Sequence, residues 1–205
     1  MKRYRYSEAF TGLEAAIVLI AFVVVAALFS YVVLGAGFFT TQKAQETVYS
    51  SVDMSSSSLE ILGDVYGNST GDGGINAQID AVMFVAGLTA GGGSIDFTQT
   101  TITFSNRDNV TKVDRSSAIT SSSSNVIVNK ATIPPNEWGI IDIQNGDEGA
   151  LMENQEQFTI YVKLDTPNFI SKNEEFSIEI RPEKGASYSI KRSAPARIYR
   201  MNILY

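Results

Sequence analysis

The hydrophobic pattern of the chain changes period once, and that change divides it. From Ala15 to Phe39, in "AAIVLIAFVVVAALFSYVVLGAGFF", 25 residues pass without a charge. About twenty helical residues at roughly 1.5 Å each cross the hydrocarbon of a bilayer, so this run predicts a helix that is apolar on every side. Further on, Ala44, Val48, Val52, Ser55, Leu59 and Leu62 recur at steps of three or four and give one apolar or small stripe. Gly63 then supplies a stop signal. The pattern therefore predicts one long helix over 13–62, and "GDVYGNSTGDGG" at 63–74 reads as a turn-rich linker.

After the linker the period becomes two. Phe158, Ile160, Val162 and Leu164 alternate with Thr159, Tyr161 and Lys163, and Phe176, Ile178 and Ile180 alternate with Ser177, Glu179 and Arg181. Alternation of this kind predicts half-buried antiparallel strands. "ASYSIKR" and "RIYRMNILY" continue it less strictly, and "NAQIDAVMFVAGL", apolar on both faces, predicts a central strand. "DFTQTTITFS", "NVIVNKATI" and "EWGIIDIQ" complete seven or eight strands. The fold class expected is α+β, with the N-terminal helix followed by an antiparallel, immunoglobulin-like β-sandwich over 75–205. Trp138 belongs in its core or at a strand end, and residues 105–124 read as a long polar excursion on its surface.

Composition narrows the chemistry. The 205 residues include no cysteine and no histidine, which removes disulfides, thiol chemistry, cysteine zinc sites and the histidine general base. No convincing set of carboxylates, lysines or tyrosines replaces them, so an enzyme and a cofactor are not expected. The net charge of −6 argues against a nucleic-acid partner, which would need a basic surface. Locally the balance reverses. Lys2, Arg3 and Arg5 face a single Glu8, whereas the chain after Gly12 holds 13 basic and 21 acidic residues. A basic cluster just before an apolar run matches the positive-inside bias and puts the acidic body outside.

Three readings of the apolar run remain open on these residues. It is a permanent single-pass anchor, or a secretory signal cut near Gly35 and Gly37, for which it is too long, or a helix retained after the leader is removed. The last reading uses Gly12, which lies before the run, and Glu14. A cut between Gly12 and Leu13 on the cytoplasmic side leaves a new amino group beside Glu14, and a carboxylate in apolar surroundings needs such a partner. Glu14 also suits a helix start, where negative charge meets the positive end of the dipole. Either way the helix cannot bury its own surface. It stays in lipid or packs against copies of itself.

Smaller motifs have plain structural roles as alternatives. Sequons at Asn68 ("NST") and Asn109 ("NVT") fall in polar stretches and are candidate N-glycosylation sites. Asp142, Asn145, Asp147 and Glu148 offer hard oxygen ligands, but their spacing matches no EF-hand and turn chemistry accounts for them, so no metal site is expected. "GLTAGGGS" lacks the Lys-Ser/Thr of a phosphate loop. "GAG" at 35–37 allows close helix approach or a bend. Phe22, Phe29, Tyr31, Phe38 and Phe39 read as packing residues.

The order of leader, cut site, hydrophobic helix and β-rich tail resembles the archaeal flagellins (archaellins) of the type IV pilin-like class. The leader ending "AFTG", then "LEAAIVLIAFVVVAALFSYVVLGAGFFTTQKAQE", carries the resemblance over residues 8–62, and "KLDTPNFISKNEEFSIEIRPEKGASYSIKRSAPARIYRMNILY" resembles an archaellin's last strands. Bacterial type IV pilins carry glutamate at the fifth mature position, whereas the acid here, Glu14, would be second. No charged residue directly precedes Gly12, where archaellins often have one.

The resemblance implies cleavage after Gly12 by a prepilin-type signal peptidase. It implies a transient precursor in the cytoplasmic membrane, an assembly ATPase and membrane platform as partners, and self-assembly into an extracellular helical filament for swimming motility and adhesion. Leu13, Glu14, Ile17, Ile20, Val24, Leu28, Tyr31 and Leu34 are the candidate contacts of the helix core. The alternatives are a non-rotating adhesion pilus subunit and a membrane-anchored binding ectodomain.

Overall fold

The computed structural model describes residues 5–56, 58–71, 74, 76–120 and 125–205. Lys2 and Arg3 of the basic leader and Ser121–Ser124 of the predicted excursion lie outside the described residues. The chain divides into two compact units, Met1–Ser50 and Ser51–Tyr205.

The first unit is carried by α1 (Arg5–Ser56), whose 52 residues give a rod about 78 Å long. It is helical without interruption through Gly35 and Gly37. The many valines and isoleucines cost only a few tenths of a kcal/mol each in helix propensity. Where no water competes, satisfying the backbone internally far outweighs that cost. At the step from apolar to polar sequence, Thr40 and Thr41 turn their hydroxyls back to the carbonyls of Ala36 and Gly37, at 2.8 and 2.9 Å. Lys43 and Glu46 form an exposed ion pair one turn apart, at 2.6 Å.

α1 ends at Ser56, short of the predicted Leu62. Leu59–Asn68 is β1, so residues 63–68 are strand where a linker was expected. The physical reason lies in β2 (Ala81–Leu88): β1 pairs with it, Leu59 opposite Leu88, and Leu59 is buried in the β core. Serines before that point are poor helix formers and offer little resistance. Gly63, at φ 77°, sits where the β1–β2 register shifts between Leu62 and Tyr66 and so serves a bulge, not a helix stop.

The second unit continues with β3 (Ile95–Asp96), β4 (Thr101–Asn106), β5 (Val110–Arg115), β6 (Glu137–Gln144), β7 (Leu151–Met152), β8 (Gln157–Lys163), β9 (Glu175–Arg181), β10 (Tyr188–Ser193) and β11 (Met201–Leu204). Nine strands run in the order β10-β9-β4-β5-β6-β8-β2-β1-β11, and β3 pairs with β7. Every pairing is antiparallel except the short β5–β6 contact, Asp114 with Glu137 and Arg115 with Trp138. Both halves of the order feed one core: Ile102, Phe104, Ile178 and Ile180 from β4 and β9, and Val65, Phe84, Trp138 and Phe158 from β1, β2, β6 and β8. A flat sheet could not bring these together. The sheet folds over at β5–β6 into a sandwich, and its far edges meet where Ser193 and Tyr205 exchange backbone hydrogen bonds at 2.6 and 3.3 Å.

β2 is central and covered on both faces, as its apolar run predicts. Trp138 is fully buried, edge-on to Phe97 with ring centroids 6.3 Å apart. Two expectations change. The excursion over 105–124 contains β5, a mostly polar strand with Val113 as its buried anchor. Residues 125–133 form only an isolated bridge, Ile127 to Ile140. Their apolar side chains serve as a cover instead: Ile133 and Val128 pack with Ala81, Tyr161 and Met83 on the outer face of β2 and β8, and Lys163 Nζ donates to the Ile133 carbonyl at 2.8 Å.

Candidate functional site

The site that the sequence singles out is a surface. Gly12–Val52 is long and apolar enough to cross a membrane, and none of its most apolar window is buried by the rest of the chain. Ile17, Ile20, Leu13, Val24, Leu28, Tyr31 and Leu34 are all exposed, from 51% at Val24 to 78% at Tyr31. Their neighbours Val18, Phe22, Val25, Phe29 and Val32 are exposed as well, so apolar surface runs right round the helix and the predicted contact set is one stripe of it. Burying a large apolar side chain is worth about 1.5–3 kcal/mol. The run from Leu13 to Phe39 therefore represents an exposed free energy on the order of tens of kcal/mol, beyond the whole stability of an ordinary domain. Lipid or other apolar helices must cover it.

Gly12 and Leu13 lie within continuous helix, seven or more residues past its first described position. In the uncut chain Glu14 is therefore not at a helix start; a cut after Gly12 would place it in the first turn. A Cβ built on Gly12 meets nothing within 4 Å, and the same holds at Gly35 and Gly37. Among the described residues, no packing calls for glycine at these three positions.

The two sequons part company. Asn109 sits exposed in the turn between β4 and β5, its Nδ2 donating to Asn168 Oδ1 at 2.9 Å, while Asn168 Nδ2 donates to Thr111 Oγ1 at 3.1 Å. Asn68 is not in a loop, contrary to expectation. It closes β1 between Ala81 and Met201, half-buried, with Nδ2 donating to the Tyr161 hydroxyl at 3.3 Å. Tyr161 is 6% exposed. Burial pushes its phenol above the usual value of 10, the amide of Asn68 works against the rise, and the Asp80 carboxylate adds to it.

The acidic loop's carboxylates are engaged within the fold, one by the loop's own backbone and one by a neighbouring side chain. Asp147 Oδ1 accepts from Gly149 N at 3.0 Å, and Glu148 Oε2 accepts from Asn125 Nδ2 at 2.7 Å. Sequence reasoning read "RIYRMNILY" as a loosely alternating strand but gave no role to the outward face of β11, where Met201 and Ile203 are exposed. In "RMNILY" both phases of the alternation contain apolar residues, so the pattern did not show which phase faces solvent.

A helix that must be covered from outside, followed at once by a self-contained β-sandwich, defines the class of pilin-like filament subunits. The model of archaeal-type flagellin matches residues 9–192, and the chain belongs to that family. It is 41% identical over 209 residues to probable flagellin 1 of Archaeoglobus fulgidus, covering 100% of this chain and 98% of the relative. Its structure is similar to the archaeal flagellum of Methanospirillum hungatei, with TM-score 0.68 and 29% identity over 95% of this chain and 99% of the other. An archaeal flagellin of Methanocaldococcus jannaschii shares the fold, with TM-score 0.54 and 18% identity over 71% and 95%. The chain is accordingly a structural subunit of the archaellum filament, an extracellular structure of the cell surface.

The Tyr161 environment yields a pH test. The folded domain holds this phenolic proton to higher pH than the unfolded chain does, so the associated stability is complete below about pH 10 and is lost as pH rises through the raised value. Denaturant unfolding at increasing alkaline pH should show this loss, and Tyr161→Phe should make it shallower. Equal slopes for both proteins would contradict the assignment.

Proposed function

We propose that a prepilin-type signal peptidase cuts this chain between Gly12 and Leu13, and that the helix beginning at Leu13 passes from the membrane into a self-packed filament core. The observation that carries this reading is the exposed apolar surface of α1 in a chain whose β-domain has a hydrophobic core of its own. An open position at Gly12 fits a residue selected by a peptidase, and glycine also weakens the helix locally by about 1 kcal/mol, easing access to the bond. After the cut, the new amino group of Leu13, in its own or a neighbouring subunit, is the partner for Glu14 inside a medium where an unpaired carboxylate is costly.

Leu13, Ile17, Ile20, Val24, Leu28, Tyr31 and Leu34 then contact neighbouring helices, with Gly35 and Gly37 allowing close approach. An assembly ATPase and membrane platform move the subunit out of lipid, and the polymer turns for swimming. The subunit's work is mechanical, without catalysis or cofactor. Adhesion follows from the same display of outer domains.

Placing a carboxylate in the middle of this surface tests the core. Val24→Asp or Leu28→Asp in the full chain should abolish filaments while the β-domain keeps its unfolding transition, because both residues belong to the other compact unit. Filaments at wild-type yield would overturn the buried-core reading, as would an intact leader on the N-terminus of filament protein.

The sequons give a second test. A glycan at Asn109 extends into solvent, and its nitrogen keeps one hydrogen for Asn168; at Asn68 it would have to displace Tyr161 from the outer sheet face. Mass spectrometry of filament peptides should find modification at Asn109, removed by Asn109→Gln, and an unmodified Asn68. A glycan on Asn68 alone would reverse the assignment.

A further inference from the structure

β11 and the residues flanking it present two faces of opposite character. Asn202 and Leu204 point inward, whereas Met201, Ile203 and Tyr205 are 55%, 45% and 75% exposed, with Tyr199 exposed just before them. The register that turns these apolar groups outward is held firmly. Asn202 Nδ2 donates to the carbonyls of Tyr199 and Gly67 at 2.8 and 3.3 Å, and its Oδ1 accepts from Tyr199 N at 2.7 Å. Leu204 lies so close over Gly67 that a Cβ there would come within 3.1 Å of it. Slipping by one residue would bury Met201 and Ile203 but expel Leu204 and the satisfied Asn202.

The outward face extends across the ladder. Tyr66 of β1 stands opposite Ile203, and Met83 of β2 stands opposite Tyr66. Beyond Met83, Tyr161 is covered by Ile133 and Val128 from the chain itself. One end of this face thus has its own cover and the β1–β11 end has none. The other half of the sandwich looks different: its outward positions include Thr101, Thr103 and Ser105 of β4, Ser177, Glu179 and Arg181 of β9, and Lys112 and Asp114 of β5, with Val110 at the start of β5 an exposed apolar exception. That is the composition of a surface facing water.

We propose that the β1–β11 face, centred on Tyr66, Met201 and Ile203, is a contact between outer domains and a neighbouring copy of this chain. The inference rests on the filament reading and deepens it. A second copy is the occupant for three reasons. β1 begins three positions after α1 ends, so the face belongs to the strand continuous with the helix that gathers copies together. The chain's net charge of −6 disfavours an anionic lipid surface as the alternative cover. A helical polymer, finally, needs heterologous contacts between unlike patches, and a clustered apolar patch on one face of the domain provides half of such a contact. Tyr205, just past β11, is already paired with Ser193, and the exposed side chains of Met201 and Ile203 carry the contact.

The absence of cysteine makes this directly measurable. Ile203→Cys, Met201→Cys and, on the polar half, Lys112→Cys are placed singly in the full chain, and filaments are treated with a polar maleimide before and after dissociation. Labelling of Cys at 201 and 203 should be lost in intact filaments and restored on dissociation, while Lys112→Cys reacts in both. Labelling of 201 and 203 in filaments as fast as in free subunits overturns the contact and leaves the filament reading intact. Failure of the unmodified chain to form filaments overturns both. Ile203→Glu adds an independent readout: it should reduce filament recovery where Lys112→Glu does not, and equal recovery counts against the contact.

Discussion

A single helix with apolar side chains on every side, and nothing in its own chain to cover them, constrains the rest of this protein. Its exposed surface from Leu13 to Phe39 carries more free energy than a domain of this size can supply. The helix therefore cannot contribute to the stability of an isolated subunit; it can only create a demand. The β-domain must fold without help from it, and its core fits this: among the described residues, every buried hydrophobic one lies at or beyond Leu59. With no disulfide to constrain the unfolded chain, that independence rests on packing and on closure of the sheet. Phe97 meets both Trp138 and Phe158, and the first and last strands of the nine-stranded order are joined at Ser193 and Tyr205. Closure also removes free strand edges, which matters in a molecule whose copies are crowded together.

Much of this was legible in the sequence, for identifiable reasons. Twenty-five uncharged residues admit few structures, and the strict alternation of Phe158–Leu164 and Phe176–Ile180 names its own inward face. The misreadings arose where two periods coincide. Leu59 and Leu62 continue a three-and-four spacing from Val48 and Val52, yet Leu59 belongs to β1, whose alternation is broken by the shift between Leu62 and Tyr66. β5 has one buried residue in "VTKVDR" and so resembled a loop, while "NVIVNKATI" had the composition of a strand but serves as a cover. Asn68 was read as a loop residue because Gly, Ser and Asp surround it; its place in β1 depends on pairing with residues far along the chain, Ala81 and Met201, which no local pattern contains. The functional surface of α1 was visible because it is local. The β1–β11 face was not, because Tyr66 and Ile203 are brought together only by the fold.

The two outer faces of the sandwich differ in a way that composition averages away. One half carries threonine, serine and charge outward, and the other carries tyrosine, methionine and isoleucine. A monomer gains nothing from holding Asn202 inward with three hydrogen bonds so that Met201 and Ile203 face out. The arrangement costs solubility, and in a polymer the same residues become contact area. The open positions at Gly12, Gly35 and Gly37 fit the same proposal, since a Cβ at each would meet no described atom within 4 Å.

Hydrophobicity alone does not decide between the membrane and the filament. Lipid tails are about as apolar as leucine, so moving α1 from one to the other changes its hydrophobic burial little. What differs is packing and polarity. Glycines at 35 and 37 permit helix backbones to approach in a way lipid cannot exploit, and the aromatic rings of Phe22, Phe29 and Tyr31 gain dispersion contacts against solid neighbours. A carboxylate at Glu14 is costly in hydrocarbon unless paired, and a cut after Gly12 supplies both the partner and, in a bundle, neighbouring partners of the same kind. Contacts between outer domains add a term that lipid lacks entirely. On the reading proposed above, a subunit whose greasy surface is equally content in either medium is committed to the filament by its least greasy features: three glycines, one carboxylate and the β1–β11 patch.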